Sequence, residues 1–339
     1  MDCSRIPLAC RWGGFNGYSS GTAVPTLHEV LDGVKPANSP PIRVIAVPGS
    51  AWKYSGGGYV ILQQMLMDVT GHAFPSVLQD LVLGPIGMSH SSFDQPLPQS
   101  LRASATLPHD GDGHVIAGGA HVYPELAAAG LWTTPTDLAR YIIAIQHARA
   151  GVSGAPLSAS MSARMLTSVL DDYGLGVELG GDSTHRYFTK GGDTHGFVGY
   201  IVAYDTRGDG AVVLTNGDQG AELTREIVRS IADVYDWPDF RSAQLSPVAL
   251  SDVKRKQIPG TYDIGHYGTF SIIESPDGQL MLSYPGSAPE PLVARSGNEF
   301  VELTDGTEIR FTAHTDGSLS DGTMIFERLR IAFSRTNKR

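Results

Sequence analysis

The chain is almost without cysteine. Its two cysteines, Cys3 and Cys10, both fall in the first ten residues, which excludes a disulfide framework and a cysteine-based zinc pattern. Two free thiols on a loose N-terminus are expected, with no metal and no cofactor. Long apolar runs are missing too: none approaches the ~18 residues of a membrane span. Positive charge is scarce, since 35 acidic residues face 25 basic ones for a net charge of −10. That balance argues against nucleic acid and anionic membranes as partners. The opening Met1-Asp2-Cys3-Ser4-Arg5 lacks the basic start and apolar core of a signal peptide. As it stands, the chain is expected to be cytoplasmic.

The residues present describe a globular protein. At 339 residues, 41% hydrophobic and 18% charged, the chain suits two domains of roughly 150 residues, each able to bury a core. Forty glycines and 21 prolines imply many turns. Helical signals dominate the first half. Thr26 to Val34 reads as a short helix closed by Gly33. Tyr59, Ile61, Leu62, Met65, Leu66 and Val69 recur at helical spacing between Gly58 and Thr70. Phe74 to Leu83 is expected to be a further helix, ended by Gly84-Pro85. Thr134 and Pro135 are start signals for a helix over Leu138 to Ala148. Ile42 to Val47 suits a strand. From Tyr173 the period changes to two. Strands are expected at Leu175–Leu179, His185–Thr189, Phe197–Tyr204 and Ala211–Leu214, then a helix from Leu223 to Tyr235. Beyond Gly260, short strands alternate with turns at Pro276-Asp277-Gly278, Thr304-Asp305-Gly306 and Thr315-Asp316-Gly317, the spacing of a small antiparallel barrel. The expected fold is α/β (α+β), an antiparallel sheet with a helical cluster over residues 1–240. A linker over 241–255 and an all-β domain over 256–339 complete it.

Two motifs carry chemistry. The first is Trp52-Lys53-Tyr54-Ser55-Gly56-Gly57-Gly58-Tyr59, and the second is Phe188-Thr189-Lys190-Gly191-Gly192-Asp193-Thr194-His195-Gly196-Phe197. Together they resemble the tyrosine and lysine motifs of the penicillin-recognising serine hydrolases: class C β-lactamases, DD-peptidases and family VIII esterases. Pro135-Thr136-Asp137-Leu138-Ala139-Arg140 is a further family-like stretch, and the C-terminal part resembles the lipocalin-like domain appended to several members. The resemblance implies a cleft holding Tyr54 and Lys190. Tyr54 would carry a proton to the leaving group, Lys190 would meet a substrate carboxylate, and the Asp193 N–H would serve as an oxyanion donor. Gly56, Gly191 and Gly192 would line the substrate site. Gly56 stands where the family has Asn, and Gly191 where it has Thr. Many members are exported.

The family nucleophile is a Ser-x-x-Lys several dozen residues before the tyrosine motif. This chain holds two such matches, Ser50-Ala51-Trp52-Lys53 and Ser251-Asp252-Val253-Lys254. The first abuts Tyr54 in a Pro-Gly loop, the second lies in the linker, and chance accounts for matches to so short a pattern. Leu8 to Phe15 keeps only the Gly14-Phe15 of a family-like segment, as a displaced start would leave it. The expectation is therefore a chain that begins after its nucleophile. Such a chain would bare apolar surface and associate with itself. It would act on an ester, amide or glycoside of a small molecule by an atypical route, or bind without turnover. Asp193, His195 and Glu125 are the remaining polar candidates: alternation along a strand sets Asp193 and His195 on one face, and two carboxylates at suitable separation serve glycoside hydrolysis.

Overall fold

The computed structural model describes residues 14–50, 52–241, 245–304, 306–315, 317–326 and 329–336. Cys3 and Cys10 lie outside them, as do Ala51 of the first Ser-x-x-Lys match and Asp305 and Asp316 of two of the expected turns. The described residues form two compact units that divide between Arg241 and Ser242.

The first unit is a helical cluster and a sheet. Its helices are α1 (Leu27–Asp32), α2 (Gly56–Thr70), α3 (Phe74–Leu78), α4 (Gln99–Arg102), α5 (Leu126–Ala129), α6 (Pro135–Arg149), α7 (Ala159–Met165) and α8 (Gly220–Val234). Local chemistry sets several of their ends. Thr26 and Glu29 form a reciprocal capping box on α1, and Gly33 ends it in the left-handed conformation. Ser55 Oγ accepts the Gly58 N–H at 3.0 Å and starts α2. Thr134 caps α6 with Pro135 in the first turn, as its sequence suggests. Asp137 is buried there and accepts from the His90 N–H and Ser91 Oγ, both at 2.8 Å. That contact ties a distant loop to the helix.

The sheet is an antiparallel meander in the order β1 (Glu178–Gly180), β2 (Tyr187–Thr194), β3 (Phe197–Tyr204), β4 (Gly210–Thr215). Alternation sorts its side chains. Ile201 and Ala203 join Ile142 and Ile145 of α6 on one face. Val202 and Tyr204 join Val228 and Ala232 of α8 on the other. The sheet is thus covered by α6 and α8.

Four expectations for the first unit are corrected. Ile42 to Val47 is not a strand: Ile42 bonds the α1 end (its N–H to Leu31 O, 3.0 Å), and Val44 is 80% exposed. Prolines at 40, 41 and 48 bracket the run, and β-propensity forms a strand only where a neighbouring edge can pair with it. The helix from Phe74 turns π over Gln79–Leu83 instead of running on as α. The strand expected at Leu175–Leu179 is shorter and starts at Glu178, because Gly174 and Gly176 bend the chain first. Finally, β2 extends past Thr189, so Gly191 and Gly192 lie within a strand, paired with Tyr200 and Gly199.

The second unit opens with α9 (Asp252–Gln257), a helix in the stretch expected to be a plain linker. Its strands are β5 (Gly260–Asp263), β6 (Thr269–Glu274), β7 (Leu280–Ser283), β8 (Glu290–Ala294), β9 (Glu299–Glu302), β10 (Glu308–Phe311), β11 (Asp321–Phe326) and β12 (Leu329–Arg335). They close into an antiparallel barrel in the order β10-β11-β12-β5-β6-β7-β8-β9. Tyr262, Phe270, Phe300, Phe311 and Phe333 are buried together in its core. Tyr262 stacks on Phe270 at 5.0 Å, and Phe311 meets Phe333 edge-on at 5.2 Å. Eight strands leave an interior that side chains can fill.

Candidate active site

The two motifs meet. Lys190 on β2 places Nζ 5.2 Å from the centroid of the Tyr54 ring, within cation–π range. Nζ also donates to the Gly191 carbonyl at 2.6 Å, which holds the ammonium beside the strand. Tyr54 immediately precedes the Ser55 cap of α2 and keeps 41% of its surface exposed. Gly56 is the buried first residue of that helix. The glycines after Lys190 are not demanded by the protein's own packing. A Cβ at Gly192 would meet nothing within 4 Å, and one at Gly191 only the Tyr200 ring at 3.9 Å. Open space beside a strand is what a ligand lying along it requires.

Asp193 continues β2 and is exposed. His195 lies in the turn between β2 and β3. Its Nδ1 is 3.9 Å from Asp218 Oδ2, its ring packs on His121 at 4.4 Å, and its N–H donates to the Tyr123 hydroxyl at 3.1 Å. Asp218 therefore stands beside His195, and Asp218 Oδ1 also accepts the Gly196 N–H. Gly196 is required there: its φ is +81°, and a Cβ would lie 2.3 Å from Pro108 Cβ.

Glu125 has a different setting. It is 0% exposed, and neither carboxylate oxygen has a hydrogen-bond partner among the described residues. Burial pushes its pKa up to about 7. Gln63, a buried amide on the inner face of α2, clamps the backbone beside Glu125. Its Nε2 donates to Pro124 O at 3.1 Å, and its Oε1 accepts the Ala127 N–H at 3.0 Å. Tyr123, also buried, is pushed up to about 12, chiefly by desolvation.

The serines of the two Ser-x-x-Lys matches do not start a helix at this place. Ser50 sits on an exposed turn, its N–H donating to Val47 O at 3.0 Å, and Lys53 is exposed in the segment that follows. Ser251 is the cap of α9 in the second unit, accepting from the Lys254 N–H at 3.4 Å. A capping role accounts for that serine. The metal-type cluster among the described residues, Asp110, Asp112 and His114, lies on a loop away from both motifs in sequence. Asp110 there is held below the usual carboxylate range by the backbone N–H groups of His114 and Asp112.

Sequence reading passed over Gln63, Tyr123, Tyr173 and Asp218. None carried a signal: Gln63 lies beside Gln64 on the face of α2 opposite its exposed apolar residues. Tyr173 packs on Trp52 in a tilted pair at 4.9 Å, and nothing local announces that contact.

The profile of the family described as Beta-lactamase matches residues 18–236. No curated protein matches the chain at a significant level. Among solved structures, the octameric penicillin-binding protein homologue from Pyrococcus abyssi is 18% identical, with a TM-score of 0.54 over 92% of this chain and 71% of that one. SurE with D-Leu is 17% identical, with a TM-score of 0.53 over 98% of this chain and 77% of that one. At these identities the likeness is one of fold.

Proposed function

Because the chain belongs to the beta-lactamase family, we propose that it is a hydrolase of small-molecule esters or amides whose cleft is built on Tyr54 and Lys190. The observation that carries the proposal is the 5.2 Å approach of Lys190 Nζ to the Tyr54 ring. It unites a phenol able to carry a proton with a cation able to hold an anionic substrate group. Hydrolysis then needs a nucleophile. Neither Ser50, on an exposed turn, nor Ser251, the cap of α9, starts a helix beside Tyr54, and water is taken as the nucleophile. A base takes a proton from that water as its oxygen attacks the carbonyl carbon; Asp193, exposed on the strand that carries Lys190, is the carboxylate candidate, although alternation turns it to the other face of β2. Tyr54 delivers a proton to the departing oxygen or nitrogen and is reprotonated from solvent. Glu125 is fully buried and stands outside this step. A glycoside substrate fits less well, because its two carboxylates must both face the scissile bond.

The exposed face of α2, with Ile61, Leu62, Met65 and Val69, supports self-association, and so does the octameric state of the Pyrococcus abyssi homologue. Each such side chain removed from water contributes on the order of 1 kcal/mol or more. A dimer or larger species by light scattering at micromolar concentration is the expected result.

A second reading, a cleft that binds without turnover, is favoured by the same placement of Ser50 and Ser251. Intact-protein mass spectrometry after incubation with a reactive penicillin, alongside an ester hydrolysis assay, separates the readings. Turnover without an adduct supports the water route. A stable adduct lost in Ser50→Ala would make Ser50 the nucleophile. Neither adduct nor turnover would leave the binding reading.

A further inference from the structure

We propose that the cleft recognises an aromatic group of its substrate on a wall formed by Trp52 and Tyr173. The inference rests on the hydrolase reading of Tyr54 and Lys190 for its location and adds the substrate class. The two rings pack at 4.9 Å between centroids with a 36° tilt. Neither is a core residue. Phe188, Tyr204 and Trp237 are fully buried in this unit, whereas Trp52 and Tyr173 are half-buried and keep part of their surface open. A partly open aromatic pair next to a polar cleft is the usual form of a recognition surface for flat apolar groups.

Position and rigidity support this use. Trp52 precedes Tyr54 by two residues on one non-helical segment, so the wall and the phenol travel together. Tyr173 comes from the loop between α7 and β1. Its hydroxyl is held above its usual pKa by burial first, and then by the nearby Glu178, Tyr54 and Tyr59. The loop is tightly held. Val169 N–H donates to Tyr173 O at 2.8 Å, Tyr173 N–H to Leu170 O at 2.9 Å, and Leu179 N–H to Asp172 O at 2.8 Å. Asp171 and Asp172 both adopt left-handed backbone conformations, φ 49° and 58°. Two consecutive non-glycine residues in that region cost of order 1 kcal/mol each and persist only where the surroundings fix them. Gly176 seats the loop on α2, where a Cβ would lie 3.1 Å from the Tyr59 hydroxyl. Lys190 Nζ thus stands over the Tyr54 ring, Trp52 lies two residues before Tyr54 on the same segment, and Tyr173 packs on Trp52. A substrate spanning them has an anionic or carbonyl end at Lys190 and an aromatic ring at the wall.

The test is binding without turnover. Phenylacetate, cyclohexylacetate and acetate share a carboxylate for Lys190 and differ only in what reaches the wall. Isothermal titration or ligand-observed NMR on the full chain should rank phenylacetate first and acetate last. Trp52→Ala and Tyr173→Ala should each weaken phenylacetate about tenfold, while Trp52→Phe and Tyr173→Phe, which keep a ring, stay within about threefold of wild type. Equal binding of phenylacetate and acetate, or of phenylacetate and cyclohexylacetate, would overturn the aromatic wall. So would an unchanged phenylacetate affinity in Trp52→Ala. The probe ranking on wild-type protein decides the matter even if an alanine variant fails to fold. Because no bond is broken, phenylacetate binding by a chain that hydrolyses nothing would sink the hydrolase reading and leave the wall standing.

Discussion

The sheet of the second unit has no edge: β5 to β12 close on themselves around a buried aromatic core. The sheet of the first unit has two, since β1 and β4 each pair on one side among the described residues. For apolar surface the contrast is one of degree, since the second unit also exposes Ile273 and Leu303. The barrel's aromatics are buried together. The first unit leaves Ile61, Leu62, Met65 and Val69 exposed on α2 and holds at Glu125 a buried carboxylate with no side-chain partner among the described residues. Closure pairs the backbone groups that an open edge leaves unpaired. Where closure is incomplete, unspent interaction capacity remains, and both the Tyr54–Lys190 pair and the Trp52–Tyr173 wall lie in the incomplete unit. The closed barrel derives its order from packing, and the open unit keeps groups free for ligands and partners.

The sharpest way to test the barrel's side of this contrast is Phe270→Ala or Phe311→Ala. Each removes a fully enclosed ring and should cost the barrel about 3–5 kcal/mol in urea denaturation, with hydrolysis unaffected. A loss below about 1 kcal/mol would mean that the aromatic core does not hold the barrel closed. On the open side, Glu125 gives a pH signature. Its folded pKa of about 7 exceeds the ordinary 4.5, so the folded state binds this proton more tightly than the unfolded chain does. The proton's contribution is complete below about pH 4.5 and is lost as pH rises through 7. The span of 7 − 4.5 = 2.5 units corresponds to about 3 kcal/mol. Glu125→Gln should abolish this slope and stabilise the first unit at pH 8, and thermal melts at pH 5 and 8 would read both effects. An unchanged slope would show that Glu125 is not the titrating group. The smallest effect belongs to Ser251→Ala, which removes the α9 cap and should cost about 1 kcal/mol or less. Activity lost in that variant would instead place a serine nucleophile in the second unit.

Legibility in the sequence follows the range of the forces involved. Thr26, Ser55, Thr134 and Pro135 act within a turn of their own position, and the starts of α1, α2 and α6 are readable from them. The sheet faces are equally readable, because Ile201 and Ala203 against Val202 and Tyr204 alternate strictly. The barrel shows in the regular spacing of turns after Gly260. Ile42 to Val47 misleads for a physical reason: its composition is that of a strand, and a strand exists only where another edge meets it. The approach of Lys190 to Tyr54 was foreseeable only through the resemblance of both motifs to one family. The Trp52–Tyr173 contact and the Asp218 neighbour of His195 depend on chain segments brought together by the whole fold, and no local pattern encodes them. Glu125 was visible as a carboxylate, but its complete burial was not.

The most direct test of the central claim is the rate of hydrolysis of a p-nitrophenyl ester by the wild type and by Tyr54→Phe, with thermal melting measured beside it. Tyr54 is 41% exposed, so deleting its hydroxyl should leave the melting temperature within about 1 °C. If the phenol carries the proton to the leaving group, kcat/KM should fall at least 100-fold. Wild-type hydrolysis that survives in Tyr54→Phe within a factor of about two would contradict the assignment of the active site to Tyr54 and Lys190.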